Sequence, residues 1–325
     1  MKKVLIAATT SAVMLGTIGL AEACSSVVWE SNHGVVLTRT MDWMESTKPV
    51  LMTVREGTTR NLHGVQTGDT YKVKNNYLAI AGYGDLIGEG VNEHGLQVSV
   101  QYYRPMTLDK AESGDVSQVE LGGYLLSNYT TVEEVAKALP SLKVGSANIP
   151  ELPEPPAFHY GVTDASGDRL VVQYDEDGMK VYRGEDARVM TNNPGQDTLL
   201  ESWHTKKEEL LKAGGPDRNF NLEAGNTSAE QRFVFSHYFV SQLKESHSPI
   251  HAMMAVEGTT LKVPQQAAYA GEGAMDTYAT EYSITYNLDS GDVVFKYTGD
   301  DKWSQDQWNF KQILSSNKNM MVPLF

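Results

Sequence analysis

The sequence predicts an α+β fold in which two sheets carry helices on their outer sides. Segments rich in β-branched and aromatic residues fall into two clusters, with helical spacing between and after them. Within each cluster short turns, not long linkers, join the strands. The first cluster also runs into the second without a flexible linker, so residues 24–325 are expected to form a single domain.

The first 23 residues are not expected to belong to that fold. Lys2 and Lys3 give a positive start, and Val4 to Leu20 are apolar or small without charge. Ala21-Glu22-Ala23 then supplies the small-x-small pattern that a signal peptidase cuts. The apolar run is short for a membrane span and no second one follows. Residues 1–23 therefore read as a signal peptide. Cleavage after Ala23 would leave a periplasmic or secreted chain that begins with Cys24 and has no stable membrane anchor.

From Cys24 onward, "SSVVWES", the turn "NHG" and "VVLTRT" predict a hairpin with Cys24 at the outer end of its first strand. "KPVLMTV", "TYKVKNNYLAIAGYG" and "LQVSVQYY" add further strands. A helix over about Ser117 to Tyr129 is weakened by two glycines. Thr130 and Glu133 form a capping box ahead of Val132, Val135 and Leu139 at helical spacing. "NIPELPEPPA" (148–157) is proline-rich and predicts an extended connection. "FHYGVTD", "RLVVQYD", "MKVYRG" and "ARVMTN" make a second strand set. Helices are expected at about 197–213 and 228–245, the latter with Phe235, Phe239 and Leu243 along one face. "YATEYSITYNLDSGDVVFKYT" returns to strands.

The formal net charge is −14 over 325 residues, and loss of Lys2, Lys3 and Glu22 would make it one unit more negative. That charge argues against nucleic acid or an anionic membrane surface as the main partner. The chain has one cysteine, Cys24, which cannot form an internal disulfide. Three explanations compete for it. A lipid anchor would fit an exported chain, but the usual pattern wants Leu three residues before the cysteine and a small residue two before. Here those places hold Ala21 and Glu22. Chance is the second. The third is an N-terminal nucleophile, because cleavage frees an α-amine of pKa about 8 on the same residue as the thiol. The stretch alone leaves all three open.

A cysteine nucleophile needs cations near the thiol and donors for an oxyanion. Arg39 and Asp42 in "TRTMDW" lie at the end of the strand predicted to pair with the Cys24 strand, although a surface ion pair is the ordinary reading of such a spacing. "TNNP" offers Asn192 and Asn193, which also suit a plain turn. Arg232 in "EQRF" begins a predicted helix, where solvated arginines are common.

Taken in order, "CSSVVW", "TRTMDW", "GEGVNEHGLQVSVQYY", "FHYGVTDASGD", "VMTNNP" and "QRFVFSHYF" are jointly specific. With these segments the chain resembles the choloylglycine hydrolase and penicillin V acylase family of N-terminal-nucleophile hydrolases, from Cys24 nearly to the C-terminus. The resemblance implies an αββα sandwich of two antiparallel sheets between helical layers. It implies Cys24 as nucleophile, its free amine as proton acceptor and then donor, and Arg39 and Asp42 beside it. The Asn192 side chain and the Tyr102 backbone N–H would form the oxyanion hole, and Arg232 would orient the polar groups. The implied substrate is a small-molecule acyl amide, with no metal or organic cofactor.

Bile-salt-preferring members tend to carry Asn where this chain has Tyr102, which tilts the expectation toward aromatic or fatty acyl amides such as penicillin V or N-acyl homoserine lactones. The signal peptide resembles that of periplasmic Gram-negative members. The span from Asn192 to Arg232 is shorter than in Gram-positive members, where an extra excursion helps build a tetramer, so homo-oligomerisation stays open. Trp43 and Tyr103 are candidates for the acyl pocket, against the ordinary reading as half-buried strand residues.

Four motifs carry no expectation of chemistry. "GYGDLIGEG" (82–90) has the wrong spacing for a dinucleotide loop and reads as a bend between strands. His247 and His251 are separated by Pro249, which weakens a helical metal pair. "DEDG" (175–178) lacks the later ligands of a calcium loop, and no papain-type cysteine signature is present.

Overall fold

The computed structural model of the chain describes residues 24–43, 45–63, 69–150, 152, 154–212, 228–264, 278–299, 301–316 and 318–325. The expected signal peptide, residues 1–23, lies outside the described residues.

The N-terminal hairpin forms as its alternation predicts. Ser25–Ser31 and Gly34–Asp42 pair antiparallel, from Ser25 opposite Thr40 to Ser31 opposite Gly34. Gly34 has φ 97°, and a Cβ there would meet the Asp289 carboxylate at 2.2 Å, so glycine is required at this turn. The hairpin sits inside a six-stranded sheet ordered Val189–Met190, Ser25–Ser31, Gly34–Asp42, Thr280–Asn287, Asp292–Tyr297, Ser304–Asn309. The second sheet has eight strands, ordered Gly178–Arg183, Arg169–Asp175, Phe158–Thr163, Gln97–Tyr102, Leu86–Asn92, Tyr77–Gly82, Val50–Val54, Met321–Pro323. Neighbours in both sheets run antiparallel.

The sheets stack face to face, because successive side chains on each strand point to opposite faces and both faces are apolar. Val28, Leu37, Leu78, Ile80, Ile284 and Phe295 fill the space between the sheets. On the outer face of the larger sheet, Val98, Val100 and Val172 pack against Leu125 and Leu126 of helix Leu121–Asn128 and Val135 of helix Val132–Ala138. On the outer face of the smaller sheet, Val27, Trp29 and Val36 pack against three helices. Helix Gln196–Lys212 contributes Leu199 and Trp203, Ala229–Ser241 contributes Phe233, and Pro249–Glu257 contributes Met253. This is the expected αββα sandwich.

Local differences from the sequence reading have identifiable causes. The second helix is capped by Thr131, whose side chain accepts the Glu134 N–H, while Glu134 reaches back to the Thr130 N–H and hydroxyl. The capping pair is thus shifted by one residue from Thr130 and Glu133. In helix Ala229–Ser241 the fully buried residues include Arg232, Phe233, Ser236, His237 and Val240. Phe235 and Phe239 instead pair with each other at 4.5 Å on a half-buried side, so the aromatic stripe is not the core face. Pro249 begins a helix rather than blocking one, because the first helical position has no N–H to lose. Within "GYGDLIGEG" the bend is confined to residues 83–85, and Leu86–Asn92 is a strand.

Candidate active site

The hairpin register brings Cys24 to the residues that follow Arg39. The Ser25 N–H donates to Thr40 Oγ1 at 3.1 Å, which fixes Cys24 at the mouth of the sheet. Cys24 is only 2% exposed, with Sγ 3.9 Å from Met41 Sδ and 3.8 Å from the Asp42 carbonyl oxygen.

Strand alternation then sends Arg39 into the space between the sheets. Its guanidinium donates to Glu89 Oε1 at 2.9 Å, to Tyr282 Oη at 2.8 Å and to the Val100 carbonyl at 2.9 Å. Arg39 and Glu89 are 1% and 0% exposed, so this is a fully desolvated ion pair. Asp42 is also completely buried. Its Oδ2 accepts from Thr40 at 3.4 Å, while Oδ1 has no hydrogen-bond partner among the described residues.

Asn192 arrives from the strand beside Cys24. Met190 pairs with Ser26, so the two residues that follow it run alongside the Cys24 end of the hairpin. Arg232 reaches in from the outer helical layer and joins the pieces. It donates to the Cys24 carbonyl, to Ser25 Oγ at 2.8 Å and to Asn192 Oδ1 at 3.2 Å. With its oxygen held this way, Asn192 turns its Nδ2 toward Tyr102, donating to that carbonyl at 2.9 Å.

Tyr102 lies on a strand edge that runs past its neighbour. The pairing with Leu86–Asn92 reaches only Ser99, and the Tyr103 N–H is turned the other way, to Ala157. Val100 and Tyr102 therefore aim their backbone groups at the cluster: the Val100 carbonyl takes Arg39, and the Tyr102 carbonyl takes Asn192. The Tyr102 N–H points off this same edge.

Burial pushes the Cys24 thiol above its ordinary value; Arg39 and Arg232 pull it down, and Asp42 pushes it up. Burial raises Asp42 to about 7, against the opposing pull of Arg232, the Thr280 hydroxyl and Arg39. Burial likewise raises Glu89, with Arg39 opposing. For Arg39 burial favours loss of the charge, but Tyr282 and Glu89 overcome it and hold the guanidinium protonated.

Of the sequence candidates, Cys24, Arg39, Asp42, Asn192, Arg232 and the Tyr102 backbone converge. Trp43 follows Asp42, and its ring packs 5.6 Å from the Tyr102 ring and 6.3 Å from that of Tyr278. Tyr103 takes no part in that wall. It is 1% exposed, stacked on His159 at 4.9 Å, with its hydroxyl donating to Asp175 at 2.7 Å. The pairing of Tyr102 with Phe158 explains why: adjacent residues on a strand face opposite sides, so only one of the two tyrosines can meet Trp43. Sequence reasoning missed Glu89 and Tyr282. A lone carboxylate inside the apolar strand "LIGEGVN" was a readable signal for Glu89. Tyr282 carried none, since a tyrosine in a strand is ordinary. Among the described residues no group of three or more His, Cys, Asp or Glu is arranged to hold a metal ion.

Residues 24–313 match the family of linear amide C–N hydrolases, choloylglycine hydrolase family, and the chain belongs to that family. It is 25% identical over 256 residues to penicillin V acylase of Pectobacterium atrosepticum, a match covering 74% of this chain and 66% of that protein, slightly under two thirds of its length. It is 23% identical over 292 residues to an uncharacterised protein of Paramecium bursaria Chlorella virus 1, covering 85% and 98% of the two chains. Among solved structures, penicillin V acylase from Agrobacterium tumefaciens superposes with a TM-score of 0.74 at 20% identity, over 88% of this chain and 86% of that one. A variant of conjugated bile acid hydrolase from Clostridium perfringens gives 0.75 at 16% identity, over 93% and 97%. At such identities these two likenesses speak for the fold.

Proposed function

We propose that the chain is exported, begins with Cys24 once residues 1–23 are removed, and hydrolyses linear amides with Cys24 as nucleophile. The observation that carries this reading is Arg232, which in one buried set of hydrogen bonds ties the Cys24 backbone, Ser25 and Asn192 together. A lipid-anchored Cys24 would need its sulfur at the surface, whereas the thiol is buried beside Arg39 and Asp42.

In this mechanism the α-amine of Cys24 takes the thiol proton, and the thiolate attacks the amide carbonyl. Arg39 and Arg232 favour the thiolate against the cost of burial. The Asn192 Nδ2–H and the Tyr102 N–H donate to the tetrahedral oxyanion, an arrangement in which one donor is worth roughly a hundred- to a thousandfold in rate. The α-ammonium, beside the Asp42 carboxyl, returns the proton to the leaving nitrogen, and the C–N bond breaks to give an amine and a Cys24 thioester. Water that gives its proton to the same amine then releases the carboxylic acid.

Trp43 and Tyr102 provide an aromatic wall beside the nucleophile, suited to an aryloxy or alkyl acyl group. Penicillin V acylase appears among both the sequence relatives and the solved structures of like fold. Our leading substrate is therefore a penicillin V-type aryloxyacetyl amide, followed by N-acyl homoserine lactones and then conjugated bile salts. The test is amine release by the chain starting at Cys24, with Cys24→Ala beside it, on those three substrates. Turnover of one, absent in the variant, supports the reading; three intact substrates with an unmodified Cys24 overturn its substrate class.

A further inference from the structure

Tyr83 stands in a backbone position that a tyrosine rarely takes. The turn between strands Tyr77–Gly82 and Leu86–Asn92 uses two left-handed residues, Tyr83 at φ 46° and Gly84 at φ 85°. A bulky side chain at positive φ is strained. Strain of this kind persists where a side chain is needed.

The hydroxyl supplies the need. The Trp43 indole Nε1–H donates to Tyr83 Oη at 2.6 Å, and Tyr83 Oη–H donates to Glu45 Oε1 at 2.9 Å. An indole nitrogen can only donate, so the Tyr83 hydroxyl accepts from Trp43 and directs its own proton to Glu45, which gives the relay one direction. The turn is also fastened to the loop that follows Trp43. The Tyr83 N–H donates to the Thr47 carbonyl at 3.1 Å. Thr47 is in turn anchored to Glu281 by its N–H at 3.0 Å and its hydroxyl at 2.7 Å. Trp43 is thus gripped at its nitrogen while its ring rests on Tyr102.

We infer that Tyr83 is a positioning residue that sets acyl-group preference by locking the Trp43 ring as a flat wall beside Cys24; this rests on the amidase reading above. A fixed aromatic face rewards an acyl group with a ring or long chain, since such groups gain from a wall that needs no ordering on binding. A short acetyl group does not reach the wall and is indifferent to it.

The experiment compares Tyr83→Phe and Glu45→Gln with the wild-type chain on a phenoxyacetyl amide and the acetyl amide of the same amine. In Tyr83→Phe the KM for the phenoxyacetyl amide rises roughly three- to tenfold, as expected for loss of one ordinary hydrogen bond, with kcat changed less than about twofold. The acetyl amide is unaffected, and Glu45→Gln, which keeps an acceptor, stays near wild type on both. The indole N–H resonance of Trp43, assigned with Trp43→Phe, shifts and broadens in Tyr83→Phe. If that variant does not fold, Glu45→Ala replaces it, removing the acceptor of the Tyr83 hydroxyl. An unchanged KM ratio with an unchanged resonance overturns the inference. Should the wild type cleave neither amide, the aryloxyacetyl substrate reading fails, and the Trp43 resonance alone decides whether Tyr83 holds the ring: an unchanged resonance in Tyr83→Phe overturns the inference.

Discussion

Arg39 and Arg232 are both buried beside Cys24, yet the regions that hold them differ in kind. Arg39 lies between the sheets and is matched by a carboxylate, Glu89, and a phenol, Tyr282. Arg232 comes from the outer helical layer and donates to neutral oxygens on Cys24, Ser25 and Asn192. Both pull the Cys24 thiol down, but the field of Arg39 is partly cancelled by Glu89. Arg39 therefore acts mainly as a charge in a neutralised pair, and Arg232 mainly as a geometric clamp. Arg232 also faces the Asp42 carboxyl, whose charged form it favours.

Removing the clamp should have the largest effect. Arg232→Ala leaves three buried acceptors without this donor and releases Asn192 to rotate, so stability to denaturant falls by about 3 kcal/mol or more. In the same variant kcat falls by roughly a hundredfold or more, as for loss of an oxyanion donor. A loss of stability without the loss in kcat would show that Asn192 does not depend on Arg232.

Asp42 gives a pH-dependent contrast. Its carboxyl is raised to about 7 from an ordinary 3.8, so folding favours the protonated form. Its contribution to stability is intact below pH 3.8 and is lost as pH rises through 7. Asp42→Asn should therefore be more stable than the wild type above neutrality, by as much as about 4 kcal/mol, and the gain should vanish near pH 4. Thermal or urea unfolding across that range checks it; a constant difference at all pH values would contradict a buried, raised carboxyl.

The smallest effect sharpens the Arg39 side. Glu89→Gln keeps a hydrogen-bond acceptor but removes the balancing charge, so the pH profile of Cys24 alkylation should move down by about half a pH unit or more. Arg39→Gln should move it up. Profiles that do not separate would mean that Arg39 is not felt at the sulfur.

The Cys24 end of the site was legible because its parts are local. Cys24 opens the first strand, and Arg39 and Asp42 lie across a short hairpin whose register follows from alternation. Asn192 and Arg232 became legible only through the family pattern, since their meeting depends on a helix crossing the sheet from the far side of the chain. Glu89 and Tyr282 were not found, because burial of an ion pair between two sheets is settled by stacking rather than by local spacing. For Trp43 and Tyr103 the residue types alone were uninformative. Which tyrosine meets Trp43 depends on the face of Gln97–Tyr102 that the pleat exposes, and the answer is Tyr102. The helix at Pro249 and the strand at Ser304–Asn309 escaped for simpler reasons: a proline was weighed as a breaker, and "SQDQWN" has few β-formers.

In the proposed mechanism one residue, Cys24, supplies both nucleophile and base. The direct measurement is single-turnover amide cleavage by two chains, one beginning at Cys24 and one keeping Ala23 before it. Both carry the thiol, but only the first has a free α-amine on Cys24. Cleavage by the second is expected to fall by roughly a hundredfold or more, the usual worth of a positioned general base. Equal rates in the two chains would contradict it.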